Sequence, residues 1–281
     1  MELPHVKENA AWREIAKRFA GEAYQKTDTV GRLIEVGIDK LKVNPERGTF
    51  KLELNRDGHV FRVTSNRSDF SNSEYELFAA FEQLKELLLW HNGEYNLEAE
   101  HFPDYDGSGI RKLVALPNLE HVVLAGGSLH NQGLKALAQL PHLKKLGIWH
   151  IHADNRGFVE LAQSKTLREL RIRSNWIEKQ NPGLLQALSS CSSLRDLTFG
   201  GTYFTIESVR HYFKSSFITE FDFDDAIIDE ADYQKLKKEF PNITFKWKGV
   251  EGVKALFRKY KWVPGYAKSW IDEEILKQFL Q

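Results

Sequence analysis

Glu220, Asp222 and Asp224 alternate along one stretch of the chain, and in an extended strand alternate residues stand roughly 6.6 Å apart on one side. Carboxylates near that separation flank the scissile bond in inverting glycosidases, one as acid and one as base. The acid must be kept protonated by a water-poor surrounding. Nothing near these three residues implies a deep pocket, so the pattern reads as an ionised acidic face and points away from a hydrolase. His150, His152 and Asp154, with His91 and His121 on neighbouring stretches, raise the question of a metal, but their spacing matches no common zinc pattern. Asp104-Tyr105-Asp106-Gly107 carries its glycine fourth, whereas an EF-hand loop needs it sixth and a later glutamate. No phosphate-binding glycine loop, nucleophile elbow or Ser/His/Asp order stands out. The expectation is no catalytic residue, no metal and no cofactor.

Recognition is the other chemistry on offer. Tryptophan and arginine are enriched among residues that carry interface energy. Trp90 with Leu88, Val123, Trp149, the pair Arg171 and Arg173, and the pair Asp222 and Asp224 are the residues whose types suit a partner. Whether they share a surface depends on the elements that carry them.

Those elements repeat. Leu119-Glu-His-Val122-Val-Leu124, Leu143-Lys-Lys-Leu146-Gly-Ile148, Leu167-Arg-Glu-Leu170-Arg-Ile172, Leu194-Arg-Asp-Leu197-Thr-Phe199 and Ile218-Thr-Glu-Phe221-Asp-Phe223 begin 24, 24, 27 and 24 residues apart. Apolar residues fill positions one, four and six of each. An earlier copy begins at Leu84, with extra length around 93–106, and a shortened one at Ile243. Between the copies, apolar residues three apart (Ile110, Leu113, Leu116; Leu134, Leu137, Leu140; Phe158, Leu161) suit one face of a short helix. Each helix start has a glycine at one offset: Gly109, Gly133, Gly157 and Gly183. A glycine there reads as a turn whose backbone adopts a conformation closed to other residues.

This strand, turn and helix unit resembles the leucine-rich repeat, L-x-x-L-x-L-x-x-N/C-x-L. Its asparagine position is filled by Asn92, Gly127, Ile151, Asn175, Thr202 and Ala226, so the family's asparagine ladder is mostly missing, while the next apolar position persists as Leu129, Ile177, Phe204 and Ile228. With the x-G-L helix starts the chain looks most like the bacterial repeats of about 24 residues. The resemblance implies an α/β solenoid with a parallel sheet on the concave side and short helices on the convex side. It implies a scaffold for interaction rather than a particular chemistry. One unit cannot bury its apolar stripe alone, and stacked copies share a core that needs covers at both ends.

Side chains alternate along a strand, so positions three, five and seven should line the concave face. The third column reads Glu86, His121, Lys145, Glu169, Asp196, Glu220; the fifth Leu88, Val123, Gly147, Arg171, Thr198, Asp222; the seventh Trp90, Ala125, Trp149, Arg173, Gly200, Asp224. The face is apolar and aromatic at its N-terminal half, cationic in the middle and acidic beyond. Two strands at roughly 4.8 Å each would put the indoles about 10 Å apart over Ala125. The expectation is a protein partner held by Trp90 and Trp149, paired by Arg171 and Arg173 and oriented by Asp222 and Asp224. Burial of the indoles under the N-terminal segment or the loop near Tyr105, and a sugar-stacking platform, stay open as alternatives.

Residues 1–73 read as an amphipathic helix (Trp12, Ile15, Phe19) and an antiparallel meander (Ile34 to Ile38, Phe50 to Leu54, Phe61 to Val63), with Asp57-Gly58 a hairpin signal. Residues 74–248 are the solenoid. Residues 249–281 read as a helical cap, with Val253, Leu256, Phe257 and Tyr260 on one helix and a second helix from Ser269. The aromatic tail from Trp262 to Phe279 makes a structural subunit of a larger assembly the second reading of function.

The 281 residues are 42% hydrophobic and 28% charged, enough apolar content to exclude a mostly disordered chain. Lysine plus arginine and aspartate plus glutamate both number 39, which removes any global electrostatic case for a nucleic-acid or membrane partner. Apolar runs such as Leu87 to Trp90 fall far short of the roughly 20 residues that span a bilayer. The opening Met1 to Lys7 lacks the pattern of a secretion signal, so the expectation is a cytoplasmic protein. Cys191 is the one cysteine, at a helix-end core position, and reads as a small buried hydrophobe.

Overall fold

The computed structural model describes residues 2–68, 71–91, 106–126, 129–149, 151–173 and 182–259. Val6–Phe19 (α1) buries Trp12, Ile15 and Phe19 and is followed by Glu22–Thr27 (β1), Leu33–Asp39 (β2), Thr49–Leu54 (β3) and Val60–Ser68 (β4). β2, β3 and β4 form the expected antiparallel meander, β1 extends it at its edge, and Phe19 stacks on Phe50 with ring centroids 5.1 Å apart. β1 has no counterpart in the sequence reading. It is exposed along almost its whole length, so it lacks the apolar alternation by which a half-buried strand is recognised.

The repeats follow as Glu74–Phe78 (α2), Glu86–His91 (β5), a 3₁₀ helix at Ser108–Ala115, His121–Ala125 (β6), Asn131–Ala138 (α3), Lys145–Trp149 (β7), Asn155–Leu161 (α4) and Glu169–Arg173 (β8). Pro182–Leu188 (α5), Asp196–Gly200 (β9), Tyr203–Phe204 (β10), Ile206–Ser215 (α6), Glu220–Asp222 (β11), Ile227–Ile228 (β12), Glu230–Glu239 (α7), Thr244–Lys246 (β13) and Gly249–Lys259 (α8) complete the described chain. Every apolar position of the five aligned copies is buried. The strands from β5 onward pair in parallel, position for position, so position-three residues face one another from strand to strand and so do those at five and seven. This is the architecture of a leucine-rich-repeat solenoid.

The sheet does not stop where the repeats begin. β4 pairs with β5 in parallel, placing Val63 opposite Leu87 and Ser65 opposite Leu89. The last meander strand is thus an extra rung, with Val63 and Ser65 in the buried positions, and eleven strands run in one sheet from β1 to β13. At the other end the core turns aromatic: Phe204, Phe213, Phe221, Phe223 and Phe245 meet mostly edge to face. Val253 of α8 is buried. The expected helix from Ser269 and the tail from Trp262 lie outside the described residues.

The helix-start glycines have ordinary helical backbone, which corrects the conformational reason given for them. A Cβ on Gly109 would lie 2.8 Å from the Asn72 Cα, and one on Gly157 would lie 3.0 Å from the Asn131 Cα. Glycine is required at 109 and 157 because each of these helix starts packs directly on the start of the preceding one. Asn72 and Asn131 complete those joints. The Asn72 amide donates to Asp106 at 2.8 Å and accepts from the Gly109 N–H, and the Asn131 amide both donates to and accepts from Asp154, at 2.8 and 2.9 Å. Asp154 in turn caps the helix that follows it, and Asp106 accepts from the N–H of Ser108 at the start of the 3₁₀ helix. Two helix starts are thus joined to the next by an asparagine and an aspartate.

Candidate functional site

The sheet face opposite the helices is open: Lys145, Glu169 and Lys246 expose about half of their side chains there. Its third column is self-paired. Arg62 of β4 bridges Glu53 and Glu86 at 3.0 and 2.8 Å, Lys145 meets Glu169 at 2.8 Å, and Lys246 meets Glu220. Asp196 sits between Glu169 and Glu220 in register. Burial and then those two neighbouring carboxylates push its carboxyl up. His121 is held down, chiefly by burial, which favours the neutral ring.

Trp90 and Trp149 do meet on this face, but more closely than the strand spacing predicts. Their ring centroids are 6.1 Å apart and the planes lie within 17° of parallel. Ala125 between them is fully buried, so the expected notch is closed by the rings themselves. Gly147 makes this geometry available, because a Cβ there would lie 3.1 Å from the Trp149 ring and 3.2 Å from Val123. Val123, in register between Leu88 and Gly147, is only 6% exposed. Leu88 stays partly exposed beside it. The meander lies next to the tryptophans in the sheet rather than on top of them, so it does not cover the rings.

The cationic middle and the acidic end were expected to face a partner separately, and the structure joins them. The Arg171 guanidinium sits 5.7 Å from the Trp149 ring and donates to Asp224 at 2.8 Å, while Lys248 donates to the other oxygen of Asp224 at 2.6 Å. Arg173 pairs with Asp225. Asp224 does not continue the row of Glu220 and Asp222: the strand ends at Asp222, Asp224 is left-handed at φ 46°, and only 7% of it is exposed. The turn is held by the Asp222 carboxylate, which accepts from the Asp224 N–H at 2.8 Å. Asp225, missed by the sequence reading, is fully buried, accepts from the Gly201 N–H at 2.8 Å, and occupies the space that a side chain at Gly200 would fill. Its signal was only a glycine at the seventh position opposite an aspartate pair.

Burial raises the carboxyls of both aspartates. At Asp224 the hydrogen bonds from Lys248 and Arg171 outweigh it and the carboxyl is held below its ordinary value; at Asp225 burial prevails over Arg173 and the carboxyl is raised. Such a cluster holds rungs together. Among the described residues no group of three or more histidine, cysteine or acidic side chains is arranged to hold a metal ion. His152 is buried and rests 5.7 Å from the His130 ring; His150 lies outside the described residues. Cys191 is buried against Ser193. No described helix is long and apolar enough to cross a membrane.

No family model matches the sequence, and no curated protein matches it. Solved structures do. The leucine-rich repeat-containing protein LegL7 from Legionella pneumophila superposes with a TM-score of 0.40 at 12% identity, over 61% of this chain and 59% of that one. TLR13, in its complex with ssRNA13, superposes with a TM-score of 0.33 at 18% identity, over 61% of this chain and 29% of that one. The chain therefore spans less than two thirds of the length of either.

Proposed function

We propose that this chain is a non-enzymatic interaction module whose open sheet face holds a protein partner, with Trp90 and Trp149 as the apolar anchor and Leu88 beside them. The observation that carries the reading is the stacked, partly exposed indole pair on a face where Lys145, Glu169, Glu220, Lys246, Arg171 and Asp224 are held in ion pairs with one another or with Lys248. Surrounding ion pairs gain little from a partner, because a neutralised exposed pair must be desolvated before it can be rearranged. An aromatic surface gains from every ångström of burial. Arg171 contributes by holding the Trp149 ring and closing the anchor on its C-terminal side, and Asp222 and Asp224 contribute by fixing Arg171. The two rings face each other, which withdraws one face of each from any sugar and disfavours a stacking platform.

The experiment is capture of partners by the intact chain, followed by titration of the purified partner against wild type and the Trp90→Ala/Trp149→Ala variant. At least tenfold weaker binding by the variant is expected. An unchanged dissociation constant removes the pair from the interface.

A further inference from the structure

A cleft at the opposite end of the sheet lies apart from the repeat face. It has a volume of about 280 Å³ and sits between the tips of the β1–β2 and β3–β4 hairpins, with Pro4, Leu33, Ile34 and Leu54 as its apolar lining. Its walls are fixed. The Asn55 side-chain oxygen accepts from the N–H groups of Asp57 and His59, both at 3.0 Å. Gly58 takes a left-handed φ of 82°, and Pro4 packs so closely that a Cβ on Gly58 would lie 2.9 Å from its Cγ. On the facing hairpin Arg32 is committed to Asp28 at 2.7 Å, and the Asp28 carboxylate also accepts from the Val30 and Arg32 N–H groups.

The charges left over are on the second hairpin. Arg56 and Asp57 are both among the residues that line the cleft, both are exposed, and among the described residues neither side chain has a hydrogen bond or ion pair. A cation and an anion on adjacent turn residues, over an apolar floor, complement a ligand that carries a carboxylate and an ammonium on one carbon next to an apolar side chain. Leu54 is buried and Ile34 is 40% exposed, so the floor has surface left to cover. The geometry points to this cleft as a binding site for a free α-amino acid with a branched apolar side chain. Arg56 takes the carboxylate, Asp57 the ammonium, and Ile34, Leu54 and Pro4 the side chain. Each charge-assisted hydrogen bond is of the stronger kind, and the small apolar contact keeps affinity modest.

The test is an NMR titration of the full chain with L-leucine, N-acetyl-L-leucine and L-leucinamide, following the amides of Ile34, Asn55 and Gly58. Saturable shifts with L-leucine in the millimolar range are expected, with each one-charge analogue at least fivefold weaker. Arg56→Gln should abolish the preference for leucine over leucinamide, and Asp57→Asn the preference over N-acetyl-leucine. Both side chains are exposed turn residues, and an unchanged amide spectrum elsewhere confirms that the variants are folded. Absence of saturable shifts with L-leucine overturns the proposal. So does equal binding of either analogue, or a preference that survives its matching substitution. None of these outcomes touches the interface read on the repeat face.

Discussion

Arg171 reaches from β8 past the whole of β9 to place its guanidinium 2.8 Å from the carboxylate of Asp224, 53 residues further along the chain. The contact ties the middle of the solenoid to its aromatic C-terminal rungs and at the same time presses the guanidinium toward Trp149. It therefore belongs both to stability and to the shape of the proposed anchor.

Asp224→Asn should destabilise the fold by about 1–3 kcal/mol at neutral pH, since it removes the anion between two cations on a buried turn. Asparagine tolerates the left-handed backbone, so the loss reports charge and not strain. The carboxyl of Asp224 is held below its ordinary value, so its contribution is complete above the unfolded value of about 4 and disappears as pH falls through the lower folded one. Urea melts at pH 7 and pH 3 should show the difference between variant and wild type shrinking at the lower pH.

The tryptophan stack should couple energetically. A double-mutant cycle on Trp90→Ala and Trp149→Ala, read by denaturant unfolding, is expected to give an interaction of about 0.5–1.5 kcal/mol. Strict additivity of the two single losses would mean that the rings do not stack in solution.

Gly109→Ala should cost more than Gly133→Ala. The new methyl at 109 meets the Asn72 backbone, which can give way only by moving the preceding helix start, whereas at 133 the nearest atom is the tip of the Leu129 side chain. Overpacking of this kind costs about 1–3 kcal/mol. Thermal melts of the two variants side by side check the order.

Asp154 should titrate at about 2. The hydrogen bonds from the Arg156 guanidinium are the largest cause, and the Arg156 N–H and Asn131 amide add to them. Carboxyl-detected NMR titration of Arg156→Gln should find it moved up toward the ordinary aspartate value of about 4. No movement would mean that the backbone and Asn131 suffice.

The two-dozen-residue period in the sequence determined the stacked rungs, their inward leucines and the outward columns as far as Asp222, where the last strand ends before Asp224, because an apolar residue at positions one, four and six can be buried in only one register. The helix α1 and the Asp57-Gly58 hairpin were equally legible, each resting on a local pattern. β1 was not, since an edge strand exposed on both faces needs no apolar alternation. β4 was recognised as a strand but not as a rung, because parallel pairing with β5 is a fact about where the chain returns. Only the tertiary structure decided what the outward residues do to one another. Trp149 could lie toward Trp90 because Gly147 leaves its neighbourhood empty, and Asp224 and Asp225 could reach the arginines because the chain turns sharply after Asp222 and Gly200 carries no side chain. A column read from sequence fixes which side a residue faces. Its partners depend on side-chain reach and on vacant space contributed by residues dozens of positions away, and neither is written in a local pattern.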